Sequence, residues 1–270
     1  MEIDPQRPGF PVSIGQAYSA LGDPDMALAY LDLANALTSP YAKPAKHGLL
    51  VEQSIVRLVS GKTDAHQVAE LLPPSSQPFR HGGAAREGMR LGVFVDLVTG
   101  RPADALARMK VFSPECVGAK DIPVDWMSCP VHLVRVYQEL GDHEAEHALG
   151  DAIVRRHQLF QDEFPIPVLW FQLGYAGALA TAGRTDEALD VLENLVSSGW
   201  RGDSYNKHLG FTLCCDVVFD AIRDHERFQA ISATIEADMA QQLENVREME
   251  KKGELPTLKE SRRQLGAKAQ

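Results

Sequence analysis

In the stretch YSALGDPDMALAYLDLANAL, apolar side chains return every three or four positions: Tyr18, Leu21, then Ala27, Leu28, Leu31, Ala34 and Leu37. That spacing keeps them on one stripe of a helix, so the pattern predicts amphipathic α-helices rather than strands. Gly22-Asp23-Pro24 breaks the run. Glycine suits the left-handed position that ends a helix, aspartate can cap the next one, and proline fits its first turn. The segment therefore reads as two helices folded back on each other.

The same punctuation recurs in LVSGKTDAHQVAEL at Gly61, LVTGRPADALARM at Gly100, ELGDHEAEHAL at Gly141 and TAGRTDEALDVL at Gly183. Counted from Gly22, the intervals between these glycines are 39, 39, 41 and 42 residues. Ala27, Ala105 and Ala188 lie five residues beyond their glycines, and Ala65 and Ala145 lie four beyond. A small side chain at that point lets two antiparallel helices approach closely. Five turns of one design at a near-constant period predict a helical repeat array.

Residues 14–40, IGQAYSALGDPDMALAYLDLANALTSP, resemble a tetratricopeptide repeat. Gly15, Tyr18, Gly22, Ala27, Leu31, Ala34 and Pro40 stand at the family's small, aromatic and apolar positions, the proline about one residue late. LGYAGALATAGRTDEALDVLENL is a second good match, whereas the repeats at Gly61 and Gly141 lack the full alanine spacing. Family repeats run to about 34 residues. The longer period here implies extended helices or linkers, of which LLPPSSQPFRHGG and FSPECVGAKDIP are the obvious ones. The resemblance implies an all-α right-handed superhelix, an α-solenoid of about six antiparallel helix-turn-helix hairpins over residues 11–252. The repeats are expected near residues 11–40, 44–73, 82–113, 126–160, 165–199 and 206–252, with a flexible polar tail over 253–270.

Both ends carry further resemblances. Glu2-Ile3-Asp4-Pro5 looks like the apolar–acidic–Pro step that often closes a repeat of this family, so residues 1–10 are expected to be the tail of an upstream repeat. The chain is then the C-terminal part of a longer polypeptide. Its last part, SSGWRGDSYNKHLGFTLCCDVVFDAIRDHERFQAI, resembles the final repeat of arrays in bacterial regulators, namely class III adenylate cyclases and winged-helix transcription regulators. The matching features are Gly199-Trp200 and the run Phe219-Asp220-Ala221-Ile222-Arg223 leading to Arg227-Phe228. Phe228, Ile231, Ile235, Met239, Leu243, Val246 and Met249 then form a helical stripe. It is expected to cap the end of the array, with a homodimer through this helix as the alternative.

Composition narrows the function classes. A net charge of −10 and a pI near 5.4 supply no positive footprint for nucleic acid or an anionic membrane. No apolar run reaches the roughly 18 residues of a membrane span. Cys116, Cys129, Cys214 and Cys215 show no paired spacing, so they are expected to be core thiols of a cytoplasmic protein.

One motif invites metal chemistry. His143-Glu144-Ala145-Glu146-His147 satisfies HExxH, in which histidines at i and i+4 grip Zn²⁺ and the glutamate activates water. Charged Asp142 and Glu146 surround it, and Ile153 stands where the extended motif needs a third ligand. A zinc hydrolase at His143 and His147 is therefore kept as an alternative to a solvated helix start. Cys129-Pro130-Val131-His132 has no partner pair at finger spacing, and Arg201-Gly202-Asp203 is too short to be informative. No nucleophile–base set appears, so neither an enzyme nor a cofactor is expected.

What remains is a surface for a protein or peptide partner. In such arrays the first helix of each repeat lines the concave groove. Register then brings Gln16, Ser19, Arg90, Phe94, Arg135, Gln138 and Trp170 to that face. Two arginines between aromatics would hold an acidic or C-terminal carboxylate with apolar anchoring. The alternative, that Phe94 and Trp170 are core and both arginines are solvated or paired within the array, stays open.

Overall fold

Each of the five turn glycines has a positive φ in the computed structural model, between 68° and 82°. The structure describes residues 9–38, 43–77, 82–112, 114, 117, 128–163, 169–201, 213 and 216–266. At Gly141 the amide donates to the Gln138 carbonyl at 3.1 Å and the Asp142 amide to the Tyr137 carbonyl at 3.0 Å. Those two bonds satisfy carbonyls that a helix end would leave open, and only glycine adopts the required φ without strain. Asp23 supplies the complementary start signal, its Oδ1 accepting from the Met26 amide at 3.0 Å.

The turns join α1 (Gly9–Ala20) to α2 (Pro24–Leu37), α3 (Lys43–Val59) to α4 (Ala65–Leu71) and α5 (Gly82–Val98) to α6 (Pro102–Phe112). They likewise join α7 (Ser128–Leu140) to α8 (His143–Glu163) and α9 (Leu169–Thr181) to α10 (Thr185–Ser197). Among the described residues there is no strand. First helices touch in order, α3 on α5, α5 on α7 and α7 on α9, while α2, α6 and α8 each seat against the first helix of the next pair.

The alanine spacing decides which of these methyls is fully buried. Ala27, Ala105 and Ala188 are 0% exposed, whereas Ala65 and Ala145 stay partly exposed. One residue turns a side chain by about 100° around the helix, so a methyl four residues past the glycine misses the contact that the fifth makes. The short α4 packs mainly on α5 rather than on its own partner α3, whereas α8, with the same spacing, still packs on α7.

Past α10 the described residues do not continue the repeat design. A 3₁₀ helix, Val217–Ile222, lies on α7 and α9, and Val217 reaches the cluster formed by α3, α4 and α5. It is followed by α11 (Glu226–Lys252), a helix of 27 residues and about 40 Å. The first half of α11 buries Phe228, Ile231 and Ile235 in the core shared with α7–α10. Its second half places Leu243 and Val246 against Tyr18, Tyr30 and Leu49 of the first two pairs. α12 (Leu258–Gly266) then packs on α2, where Ser261 Oγ lies 3.5 Å from the Tyr30 hydroxyl. α11 thus runs from the last pair to the first.

Two expectations need correction here. The repeat expected over 206–252 is not a hairpin of two α-helices among the described residues, because a 3₁₀ turn and one long helix occupy 217–252; residues 202–212, 214 and 215 lie outside the described residues. The stretch 253–270, read as a flexible tail, contains α12. Its start is specified by Thr257 and Glu260: the Thr257 amide donates to Glu260 Oε2 at 2.8 Å and the Glu260 amide to Thr257 Oγ1 at 3.3 Å. That reciprocal cap nucleates a helix in a polar sequence. Of residues 1–10, expected as an upstream tail, 1–8 lie outside the described residues and Gly9 and Phe10 open α1.

Candidate binding face on the first helices

The residues assigned by register to the groove have separate fates. Gln16 is buried and donates from Nε2 to Glu52 Oε1 at 3.1 Å, tying α1 to α3. Phe94 is 7% exposed and packs with Val51, Ile55 and Leu91. It is core, so it cannot anchor a partner. Arg90 is buried beneath the face and Ser19 is half-buried. Trp170 belongs to α9, but its side chain lies outside the described residues.

Arg135 and Gln138, one turn apart on α7, do come together. Arg135 donates from one guanidinium nitrogen to Gln138 Oε1 at 3.1 Å and pairs through the other with Glu139 at 2.7 Å. Gln138 Nε2 donates to Glu146 Oε1 at 2.8 Å and to the Thr181 carbonyl at 3.1 Å, which spans α7, α8 and α9. A further partner of Arg135 comes from outside the hairpins: Asp220 Oδ2 lies 3.8 Å away.

Asp220 is one of two carboxylates that the 3₁₀ segment brings to this face. The other, Asp216, caps the 3₁₀ helix by accepting from the Val218 amide at 3.1 Å, and its Oδ1 lies 3.4 Å from His132 Nε2. Burial alone would raise the pKa of Asp216, but His132, the Val218 amide and the charge of Arg90 outweigh it and hold the carboxyl below its ordinary range. Arg223 fastens the segment on itself, donating to the Asp216 carbonyl at 2.8 Å and to Asp220 Oδ1 at 2.5 Å.

Apolar contacts complete the seat. Val217, Val218, Phe219 and Ile222 are all buried. A Cβ built on Gly177 of α9 would stand 3.0 Å from both Val218 Cγ2 and Val131 Cγ1, so glycine leaves the space that Val218 fills. The Phe219 ring meets Phe228 with centroids 5.8 Å apart. Sequence reasoning missed His132 and Gly177 as face residues. The signal was present, because His132 lies three residues before Arg135 and so shares its side of α7.

The metal reading rests on exposed residues. His143 faces Glu146 Oε2 at 3.0 Å, and His147 donates from Nδ1 to the His143 carbonyl at 2.6 Å. Among the described residues no group of three or more His, Cys, Asp or Glu side chains is placed to hold a metal ion. Cys116, Cys214 and Cys215 lie outside the described residues, as does the side chain of Cys129. Among the described residues no helix is long and apolar enough to cross a membrane.

The pairing of α9 with α10 also matters for comparison with known proteins. A tetratricopeptide-repeat family profile matches residues 169–194, which is α9 and most of α10. No curated protein and no solved structure matches the chain. The structure is thus all-helical among the described residues, with a hairpin similar to the tetratricopeptide repeat, a unit that suggests a scaffold for protein–protein contact.

Proposed function

We propose that this chain is a non-catalytic scaffold that holds a segment of a partner protein against the face of its first helices, α1, α3, α5, α7 and α9. One observation carries this reading: that face already holds an irregular stretch of polypeptide, Asp216–Ile222, with its carboxylates beside His132 and Arg135. A surface that seats one such stretch has the chemistry to seat another. The hairpins would wind into a right-handed superhelix over residues 11–252, ended by the 3₁₀ turn and α11 in place of a sixth regular pair. Ser19, Arg135, Gln138 and Trp170 are the proposed contact residues, with Arg90 acting from below and Gln16 bracing α1 against α3. The resemblance of residues 199–228 to the ends of bacterial regulators supports a role as the docking or sensory region of such a protein, in the cytoplasm and without a cofactor.

The alternatives draw less support. Of the stripe that would form a homodimer, Phe228, Ile231, Ile235 and Leu243 are buried by the chain's own helices, Met239 and Val246 are half-buried, and Met249 alone of the seven is exposed. His143 and His147 sit in the first turn of α8, engaged with Glu146 and a backbone carbonyl.

A photocrosslinking amino acid placed in turn at Ser19, Gln138 and, as a control on the second-helix side, Asp151 tests the reading in cells that express the protein. A partner captured from positions 19 and 138 but not from 151 is the expected result. Capture from 151 alone, or from neither face position, overturns it.

A further inference from the structure

We infer that residues 216–223 occupy the partner's place, and that the partner presents a matching segment: two carboxylates four residues apart with bulky apolar side chains between them. This rests on the scaffold reading above and adds the chemistry of what is bound.

Three features set that chemistry. First, the face gathers basic side chains in a chain whose net charge is −10: His132 lies 3.4 Å from Asp216, Arg135 3.8 Å from Asp220, and Arg90 acts on Asp216 from α5. Second, the socket between Gly177 and Val131 is shaped for a branched side chain, and Val218 fills it. Third, among the described residues the segment belongs to no helical hairpin. It is a 3₁₀ turn whose ends are fastened by Arg223 to the Asp216 and Leu213 carbonyls.

Burial of Phe219, 1% exposed against Phe228, bears on how exchange would occur. Removing this segment into water would be costly, since four buried apolar side chains lose their cover. Replacing it with a like segment is different, because each pocket is filled and each basic side chain is paired again. The internal copy then holds its place chiefly through high effective concentration. Weakening the internal copy should raise affinity for an external one, since apparent affinity scales with the fraction of sites left vacant.

The test uses the whole chain and a fluorescent peptide of residues 216–223, Asp-Val-Val-Phe-Asp-Ala-Ile-Arg, followed by anisotropy. The double variant Asp216→Asn/Asp220→Asn keeps side-chain shape while removing both charges. It should bind the peptide at least about tenfold tighter than the unaltered chain. Adding Arg135→Glu should reverse that gain, and a peptide with both aspartates replaced by asparagine should bind at least about tenfold more weakly. A folded double variant that binds no tighter, or binding indifferent to Arg135→Glu, overturns the proposal.

If the variant does not fold, hydrogen exchange on the unaltered chain decides. Amides of 218–222 should open locally and exchange at least about tenfold faster than those of 176–180 in α9; equal exchange makes the segment integral core and overturns the proposal. A partner crosslinked from Ser19 or Gln138 that lacks such a segment would overturn this motif and leave the scaffold reading standing. Absence of crosslinking from the face would remove the scaffold reading itself.

Discussion

Tyr18 donates its hydroxyl proton to Glu250 Oε1 at 2.7 Å across a sequence separation of 232 residues. Arg247 and Asp23 lie 3.4 Å apart beside it, and Leu243 packs into the same cluster. A stack whose repeats touch only their neighbours loses structure from its ends independently. Here α11 links the ends, so a lesion at its far half should be felt at both termini. Tyr18→Phe removes one part-buried hydrogen bond and should cost about 1 kcal/mol. Leu243→Asp places a charge in the cluster; it should raise hydrogen exchange in α1, α2 and α12 together while leaving α7 and α8 unchanged. Exchange rising in α12 alone would show the ends to be uncoupled.

Gly92 makes way for a buried ion pair. Arg108 runs over it, donating from Nε to Asp96 Oδ2 at 2.9 Å and from a terminal nitrogen to the Pro73 carbonyl at 3.1 Å. A Cβ on residue 92 would sit 2.5 Å from Arg108 Cδ. Gly92→Ala must therefore push Arg108 off Asp96, which is 0% exposed and would retain only Arg101, 2.9 Å from its other oxygen. The expected loss is about 2–4 kcal/mol by chemical denaturation, since breaking a buried pair strands a charge. Gly150 in α8 is the control: a Cβ there meets nothing within 4 Å. Gly150→Ala should stabilise by about 0.5–1 kcal/mol through helix propensity alone.

His157 gives the fold a pH dependence. It is 0% exposed and stacks on Tyr175 with centroids 3.6 Å apart. Burial holds its pKa down at about 4, against an ordinary 6.5. The unfolded chain takes up this proton more readily than the folded one, so the contribution of His157 is fully present above pH 6.5 and is lost as pH falls towards 4. The full effect is about 3 kcal/mol at 1.36 kcal/mol per pH unit. Denaturant midpoints measured between pH 7.5 and 4 should fall in this window, and His157→Phe should flatten the slope there. An unchanged slope in the variant would assign the pH dependence to other groups.

Legibility followed the range of the physics involved. Gly22, Gly61, Gly100, Gly141 and Gly183 could be read because a positive φ at a helix end is a local requirement, met by one residue and its immediate neighbours. Ala27, Ala105 and Ala188 could be read for a similar reason, since their spacing from the turn fixes their side of the helix. Phe94 could not be sorted, because register gives a face and not the neighbours that cover it. Asp216 and Asp220 escaped notice as occupants of the face because their partners, His132 and Arg135, stand more than 80 residues earlier in the chain. α12 was hidden by its polar composition, although its Thr257-Leu258-Lys259-Glu260 cap was in plain view.

The junction of α10 with α11 lets polar and apolar contributions be ranked. Arg227 reaches three acids spaced along α10, lying 2.6 Å from Asp190, 2.8 Å from Glu193 and 3.6 Å from Asp186. Hydrogen bonds to Glu193 and Asp190 push its pKa up and lower that of Glu193. These groups are open to water, where ion pairs are screened and contribute little. Phe228, the next residue, is 2% exposed and lies against Phe219 in the main core. Phe228→Ala should therefore destabilise by about 3–4 kcal/mol, regardless of salt. Arg227→Ala should have a far smaller effect that vanishes in molar salt. Arg227 ties the start of α11 to the side of α10, so the sensitive readout is a spin-label distance from α10 to the far end of α11. Broadening of that distance in Arg227→Ala, with stability nearly unchanged, is the expected outcome; a large stability loss that persists in salt would show the clamp to be part of the core.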